Sequence, residues 1–375
     1  MTFATGPETF STLAGELAGR FSPDYRKAWS DHDFRDYAQR AFAFQFEHNS
    51  AYRAFCTRRG VTPTQLDHWT RVPAVPTSAF KHLPLVSGTP DEVDVVFRTS
   101  GTTRGAQLRG EHRVRSLELY RAAAMPNLAL HLFADDPGRV TIFSLVPSPD
   151  LAPESSLSRM MAFAVEAWGA PESGFFTHPE RGVDIDRFAR ALHGAAERGD
   201  RVWVAGTAFA FVHWIDAVAT AQAPRVVLPA GSRVMDTGGF KGRSREVSRA
   251  ELYQGIEQAL GVPERLIINE YGMTEMLSQF YEPNIAQGVE LDLNARFHQG
   301  PPWVRTQVLD PQTLAPVADG EPGLLCHFDL ANLGSVCAIL TEDLGVAVES
   351  GFRLLGRTPG AEPRGCSLAL EDLLR

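Results

Sequence analysis

The chain has 375 residues, of which 44% are hydrophobic, and carries a formal net charge of −9. That is enough for one large α/β domain or two smaller ones around a substantial core. The acidic balance and the lack of any long Lys/Arg run argue against a nucleic-acid surface, and no run approaches the ~18 apolar residues of a membrane span.

Residues 31 to 59 read as one helix, with Phe34, Tyr37, Ala38, Ala41, Phe42, Tyr52 and Phe55 recurring near a 3.6-residue period. Gln45 falls on that apolar face, while Phe44 and Phe46 flank it. Pro73-Ala74-Val75-Pro76-Thr77-Ser78 then imposes an extended path. Short apolar runs at Val140–Val146, Val202–Ala205, Val226–Leu228 and Leu266–Ile268 read as strands. Helical stretches at Ser155–Trp168, Ile185–Arg198 and Ser248–Leu260 lie between and after them. Ser248 and Glu251 match a capping box. This alternation predicts a layered α/β domain over residues 1–300. From Pro301-Pro302-Trp303 onward the pattern changes to short strands and turns. Residues 301–375 are therefore expected to form a small β-rich subdomain packed on the first.

Candidate chemistry follows the same order. Lys81, after the rigid proline segment, can reach a phosphate as a point charge, or it is a solvated surface lysine. Thr99-Ser100-Gly101-Thr102-Thr103-Arg104-Gly105 follows the apolar run Val95–Phe97. It can offer backbone N–H groups and hydroxyls to a phosphate, or it is an ordinary turn rich in Gly and Thr. Gly238 and Gly239, in Asp236-Thr237-Gly238-Gly239-Phe240-Lys241, let a planar ring approach the backbone, or simply turn the chain. Tyr271-Gly272-Met273-Thr274-Glu275 follows a strand-like run, at the sheet edge where α/β proteins bind ligands. There Tyr271 can lie against a purine, Thr274 can bond a phosphate, and Glu275 can ligate magnesium as a hard oxygen donor. A helix N-terminus with a stabilising acid is the plainer reading. Asp343, in Thr341-Glu342-Asp343-Leu344-Gly345, can accept from two ribose hydroxyls, or is an acidic turn residue.

Cys56, Cys326, Cys337 and Cys366 are irregularly spaced and suggest neither a zinc site nor a disulfide framework. Together with the absence of a signal-like segment in Met1–Gly6, they point to a cytoplasmic protein with free thiols. Arg364 nearby can lower the Cys366 thiol pKa and Gly365 can leave the sulfur accessible, or Cys366 is an inert core residue. The other three read as structural. No GxGxxG, Walker, GxSxG or HExxH pattern occurs.

In this order, the SGTT loop, the GG turn, YGMTE and TEDLG resemble the adenylate-forming superfamily of acyl-CoA synthetases and adenylation domains. The closer resemblance is to the acyl-protein synthetase (long-chain-fatty-acid–luciferin-component ligase) family. It rests on Pro76–Lys81, Thr99–Thr103, Thr237–Lys241, Pro301–Val304, Leu309–Val317, Asp319–Gly323 and Arg364–Leu368, and so covers the chain from about Asp31. The resemblance implies the N-terminal domain of an adenylate-forming enzyme, with layered sheets and helices, that binds ATP and Mg2+. A carboxylic acid, expected to be fatty, would become an acyl-adenylate. Its acyl group would pass to Cys366 and then to a thiol on a partner reductase or carrier. A ligase using CoA directly, or a non-catalytic scaffold, is the alternative; a homo- or hetero-oligomer is open. Gly206, Thr207 and Phe209 fall where the superfamily lines its substrate pocket, or at a buried strand–helix junction, and the two readings can both hold. Arg104 departs from the usual SGTTG run. The mobile C-terminal domain of larger superfamily members, which carries a catalytic lysine, is expected to be truncated or absent. The lysines here are Lys27, Lys81 and Lys241, and Lys81 is the first candidate to replace it.

Overall fold

The computed structural model describes residues 9–21, 29–89, 91–100, 108–134, 138–238, 247–357 and 363–374. It opens with the helices α1 (Phe10–Arg20), α2 (Asp31–His48) and α3 (Ser50–Arg58). The single helix expected over residues 31–59 is thus broken. Asn49 leaves helical geometry at φ −126° and ψ 100°, and its side-chain carbonyl accepts from the Tyr52 N–H at 3.0 Å, capping α3. Gln45 explains its place on the apolar face of α2. It is buried, donates to the Asn332 and Leu333 carbonyls at 3.0 and 3.1 Å, and accepts from the Cys337 N–H at 3.0 Å. A buried amide satisfied on both ends ties α2 to a segment almost 290 residues away.

Next come the short strand β1 (Val75–Pro76), a hairpin of β2 (Val95–Arg98) and β3 (Glu111–Val114), and the helix α4 (Leu117–Phe133). The α/β alternation expected from the apolar runs then begins. It comprises β4 (Thr141–Leu145), α5 (Ser156–Trp168), β5 (Gly174–Phe175), a small hairpin of β6 (Thr177–His178) and β7 (Gly182–Val183), and α6 (Ile185–Arg198). It continues through β8 (Val202–Thr207), α7 (Ala208–Ala219), β9 (Arg233–Thr237), α8 (Arg249–Leu260), β10 (Ile267–Tyr271) and β11 (Phe280–Tyr281). The sheet order is β11-β10-β9-β8-β4-β5, parallel except for β11. One face, with Ile142, Trp203, Ala205, Met235 and Ile268, packs in the same cluster as residues of α4 and α5. The other, with Phe143, Val204, Val234 and Ile267, packs with residues of α6, α7 and α8. Burial on both faces is why the parallel strands read as continuous apolar runs. The strand expected at Val226–Leu228 is absent. Its Val226 and Leu228 N–H groups bond the Ala259 and Leu260 carbonyls at the end of α8, and the fourth long strand is β9 instead.

After the short α9 (Asn284–Gln287), four strands form the antiparallel arrangement expected beyond Pro301: β12 (Val304–Leu309), β13 (Pro322–Asp329), β14 (Ala338–Val348) and β15 (Gly351–Arg357). β1 joins this second sheet in parallel, with Val75 opposite Ile339. The inner face shares a core with the N-terminal helices; Phe34 meets Phe328 at 5.9 Å and Phe21 stacks on Trp303 at 4.3 Å. The outer face, with Leu309, Leu324, Cys326 and Leu340, is covered by α10 (Arg364–Leu374). Among the described residues no helix is long and apolar enough to cross a membrane.

Candidate active site

The carboxyl ends of the parallel strands define one edge. Thr207 pairs with Thr237, and Thr237 with Glu270, in neighbouring registers, so three polar side chains line up across β8, β9 and β10. Thr237 donates its hydroxyl to the Glu270 carboxylate. Glu270 is buried, and that burial pushes its carboxyl up to about 7; the Thr237 hydrogen bond opposes the rise and Asp236 adds to it. At Gly272 an added Cβ would run into the Glu270 carboxylate, so any larger residue there would have to displace that side chain. Gly238 has φ +67°, and no described atom lies within 4 Å of where its Cβ would be. Gly239 lies outside the described residues.

Beneath this edge a buried polar network holds the strands. Tyr253 donates to Asp236 at 2.7 Å and Asn269 to the other Asp236 oxygen at 2.8 Å. Arg249 and Arg296 both pair with the fully buried Glu282. Pairing satisfies these charges where water cannot.

Tyr271 and Asp343, expected to serve one ligand, do meet. The Tyr271 hydroxyl donates to Asp343 Oδ2 at 2.8 Å, and Arg357 Nε donates to Asp343 Oδ1 at 3.2 Å. Asp343 sits within strand β14 rather than in a turn. The Tyr271 ring is 8% exposed and packs among Phe352, His327, Phe280 and His298 at centroid distances of 5.3–5.9 Å. Burial, then the Asp343 charge, raises its phenol well above the ordinary range, so it stays a donor. Burial also holds His298 and His327 down at about 3, leaving both neutral.

The Thr274–Glu275 segment is a turn, closed by a Met276 N–H to Met273 carbonyl bond, rather than a helix start. Its backbone is held from two sides. Asn332 donates to the Glu275 carbonyl at 2.7 Å, and Asp329 accepts from the Ser278 N–H and hydroxyl at 2.9 and 2.8 Å. From the opposite side His112 Nδ1 reaches the Thr274 carbonyl at 2.7 Å. Trp303 donates to the Ser278 hydroxyl at 3.1 Å, which ties the PPW segment to the same turn. The Glu275 side chain is buried, within the electrostatic reach of Arg357. Among the described residues no three His, Cys, Asp or Glu side chains converge on one point. A lone carboxylate there fits an ion held mainly by water and phosphate oxygens.

The glycine-rich loop springs from the β2–β3 hairpin. Thr99 N–H bonds the Gly110 carbonyl at 3.0 Å, and the Thr99 hydroxyl accepts from Gly110 N–H at 2.9 Å, so that hydroxyl also closes the hairpin. Arg98 and Arg109 both pair with Glu154, and Arg98 with Glu111. Ser100 is exposed at the loop's start, while Gly101, Thr102 and Thr103 lie outside the described residues. Lys81 is exposed at the end of a 3-10 turn, next to the buried Phe80.

Two placements differ from expectation. Gly206 and Phe209 do not join Thr207. The space beside Gly206 is filled by Leu145, 2.7 Å from a would-be Cβ, and Phe209 packs into the α6–α8 layer. Cys366 is not accessible. It is fully buried in the first turn of α10 among Leu309, Leu324, Cys326 and Leu340, with its Sγ 3.6 Å from the Thr341 carbonyl oxygen. Gly365 serves close packing rather than access, since a Cβ would meet Leu314 at 2.6 Å and the Pro311 carbonyl at 3.0 Å. Strand alternation puts Leu340 and Leu344 on the α10 side and Asp343 on the other, so β14 separates Cys366 from the Tyr271–Asp343 pair. His112, Asp329, Asn332 and Glu270 carried no signal in the sequence beyond their residue type.

The fold is similar to that of a CoA ligase of known structure. Structures of 2-hydroxyisobutyryl-CoA ligase match it at TM-scores of 0.60 and 0.61 and 18% identity, over 87% and 92% of this chain and 74% and 69% of theirs. The chain matches the family "Acyl-protein synthetase, LuxE" over residues 28–375 and belongs to it. It is 25% identical over 350 residues to the long-chain-fatty-acid–luciferin-component ligase of Aliivibrio fischeri, covering 89% of this chain and 87% of that one. The protein of the same name from Vibrio harveyi is 23% identical over 344 residues, or 88% and 85% of the two chains. This chain is therefore a ligase.

Proposed function

We propose that this ligase activates a carboxylic acid, a fatty acid in the first instance, with ATP and passes the acyl group through Cys366 to a protein thiol. The Tyr271–Asp343 hydrogen bond carries the reading, because it brings two motifs 72 residues apart together at the sheet edge. Asp343 keeps lone pairs free for ribose hydroxyls beyond those used by Tyr271 and Arg357. Gly238, without a side chain at the end of β9, lets the purine approach the backbone. Thr274, with the Ser100 loop, donates to the phosphates. The acid's carboxylate oxygen attacks the α-phosphorus, and the bond to pyrophosphate breaks. Mg2+, with Glu275 as its protein ligand, would neutralise charge on the phosphate oxygens.

In the second half-reaction the Cys366 sulfur attacks the acyl carbon and AMP leaves, splitting one hard transfer into two easier ones. The acyl group then moves by thiol exchange to the acceptor. For this Cys366 must leave the outer face of the second sheet. The seven-residue span from Arg357 to Arg364 reaches at most about 25 Å when extended. An ion pair that helps to hold α10 down, Arg59 with Asp372 at 3.0 Å, is partly exposed and weak.

The full burial of Cys366 favours a second reading, direct transfer to CoA or a carrier thiol. One experiment separates them. The protein is incubated with Mg2+, ATP and radiolabelled fatty and aryl acids, then denatured. Hydroxylamine-sensitive label that is lost in Cys366→Ser supports the acyl-cysteine. Adenylate without protein label supports direct transfer, and neither product with any acid overturns both.

A further inference from the structure

The β2–β3 hairpin, which carries Thr99 and Ser100, and the Thr274–Glu275 turn are separate elements, and the two must keep a fixed spacing if both are to touch one triphosphate. The turn's own anchors, Asp329 at the end of β13 and Asn332 in the 3-10 turn Leu330–Gly334 that follows it, form no hydrogen bond to the described residues of the hairpin that carries Thr99. The described side chain that bridges the two elements directly is His112, through its 2.7 Å bond to the Thr274 carbonyl across 162 residues of sequence. A carbonyl only accepts, so the ring carries its proton on Nδ1. The imidazole is 1% exposed, and the Phe80 ring meets it edge-on at 5.7 Å. Burial holds its pKa down at about 4, so the bond persists unchanged through neutral pH.

His112 is rigidly connected to the loop. It pairs with Phe97 across the hairpin, and two residues earlier Gly110 is bonded twice to Thr99, where the loop begins. A shift of the ring relative to Thr274 is thereby passed to Thr99 and Ser100.

We propose that His112 is a positioning residue for adenylation, the pin that sets Thr99 and Ser100 at their working distance from Thr274 and Glu275. The inference rests on the ATP-dependent reading above. It does not involve the acid, which is expected elsewhere on the edge.

The test compares three variants by acid-dependent ATP–pyrophosphate exchange, with urea unfolding as a check on folding. His112→Asn places an amide N–H near the position of Nδ1, His112→Gln carries its amide one bond farther out, and His112→Leu has no donor. Misplacement by about 1 Å costs up to ~100-fold in rate, so Leu and Gln are expected to lose about 10- to 100-fold in kcat/KM for ATP. KM for the acid should stay within about twofold, and Asn should retain activity within about fivefold of wild type, although it is no more stable than Leu. Rescue by Asn is the readout that a merely structural histidine would not give. The proposal is overturned if Asn is as impaired as Leu, if the loss tracks unfolding stability alone, or if KM for the acid rises as much as KM for ATP. Wild-type protein that gives no acid-dependent exchange with any acid overturns the adenylation reading and this inference with it. Normal wild-type exchange with three indistinguishable variants overturns the inference alone.

Discussion

Replacing Glu270 with glutamine should change how stability depends on pH, by an amount the structure sets. Glu270 is 4% exposed and its carboxyl is raised from an ordinary 4.5 to about 7, chiefly by burial. Between those values the native state keeps a proton that the unfolded chain has released, so the free energy of unfolding falls as pH rises. At 1.36 kcal/mol per pH unit the loss comes to about 3 kcal/mol, complete above pH 7. In Glu270→Gln the amide oxygen would still accept from the Thr237 hydroxyl, and the side chain cannot ionise. Asp329, raised by burial to about 6, contributes a similar fall in both proteins and cancels in the comparison; Asp236, also raised to about 6, interacts with Glu270 only as the smallest cause of its shift. Urea unfolding followed by tryptophan fluorescence, at half-unit intervals from pH 4.5 to 8, measures the difference between Glu270→Gln and wild type. That difference should move in favour of the variant by about 3 kcal/mol across the range. A difference that stays constant to within about 1 kcal/mol would mean that Glu270 is ionised in the native state, and would refute the reasoning.

Tyr271→Phe removes the hydroxyl bond to Asp343 and leaves Arg357 in place; ATP affinity measured by calorimetry should fall about 3- to 10-fold, the equivalent of one ordinary hydrogen bond. The buried Cys366 should react with an aromatic disulfide reagent far more slowly than a free thiol. Asp372→Ala, which removes the Arg59 ion pair, should speed that reaction about two- to fivefold, the range for a partly exposed pair. Gly365→Ala should speed it further, because its Cβ meets Leu314 at 2.6 Å and pushes the first turn of α10 outward. No change in either variant would mean that the thiol is reached by a route other than the release of α10.

Periodicity and punctuation located most of the fold, because buried parallel strands and capped helices leave strong local marks: β8, α6 and the Ser248 capping box stand close to where their residues predict. The misses have local physical causes. Asn49 reads as a polar helix residue until its carbonyl is seen capping Tyr52, and Val226–Leu228 is apolar because it packs against the end of α8, not because it pairs in a sheet. At the site, Tyr271 and Asp343 were legible as members of motifs, but their hydrogen bond depends on how β10 meets β14. His112 and Asp329 act through backbone groups of a distant turn, and a side chain that bonds a backbone leaves no pattern in its own neighbourhood. The burial of Cys366 was illegible for a related reason. An Arg-Gly-Cys triplet looks open, but α10 lays that glycine against the loop at Pro311 and Leu314.

The parallel pairing of β1 with β14 also bears on how the chain is made. Val75 emerges from the ribosome about 260 residues ahead of Ile339, its partner. At roughly 5–20 residues per second that is a wait of about 13–50 s. Through that interval β1 has an unpaired edge, and α2 presents Phe34 to water without Phe328 to cover it. The nascent protein therefore carries a sticky aromatic face for most of its synthesis. Its yield in cells should depend on chaperones that shield such faces, and strand-weakening changes near residue 339 should be felt first as aggregation of the newly made amino-terminal helices.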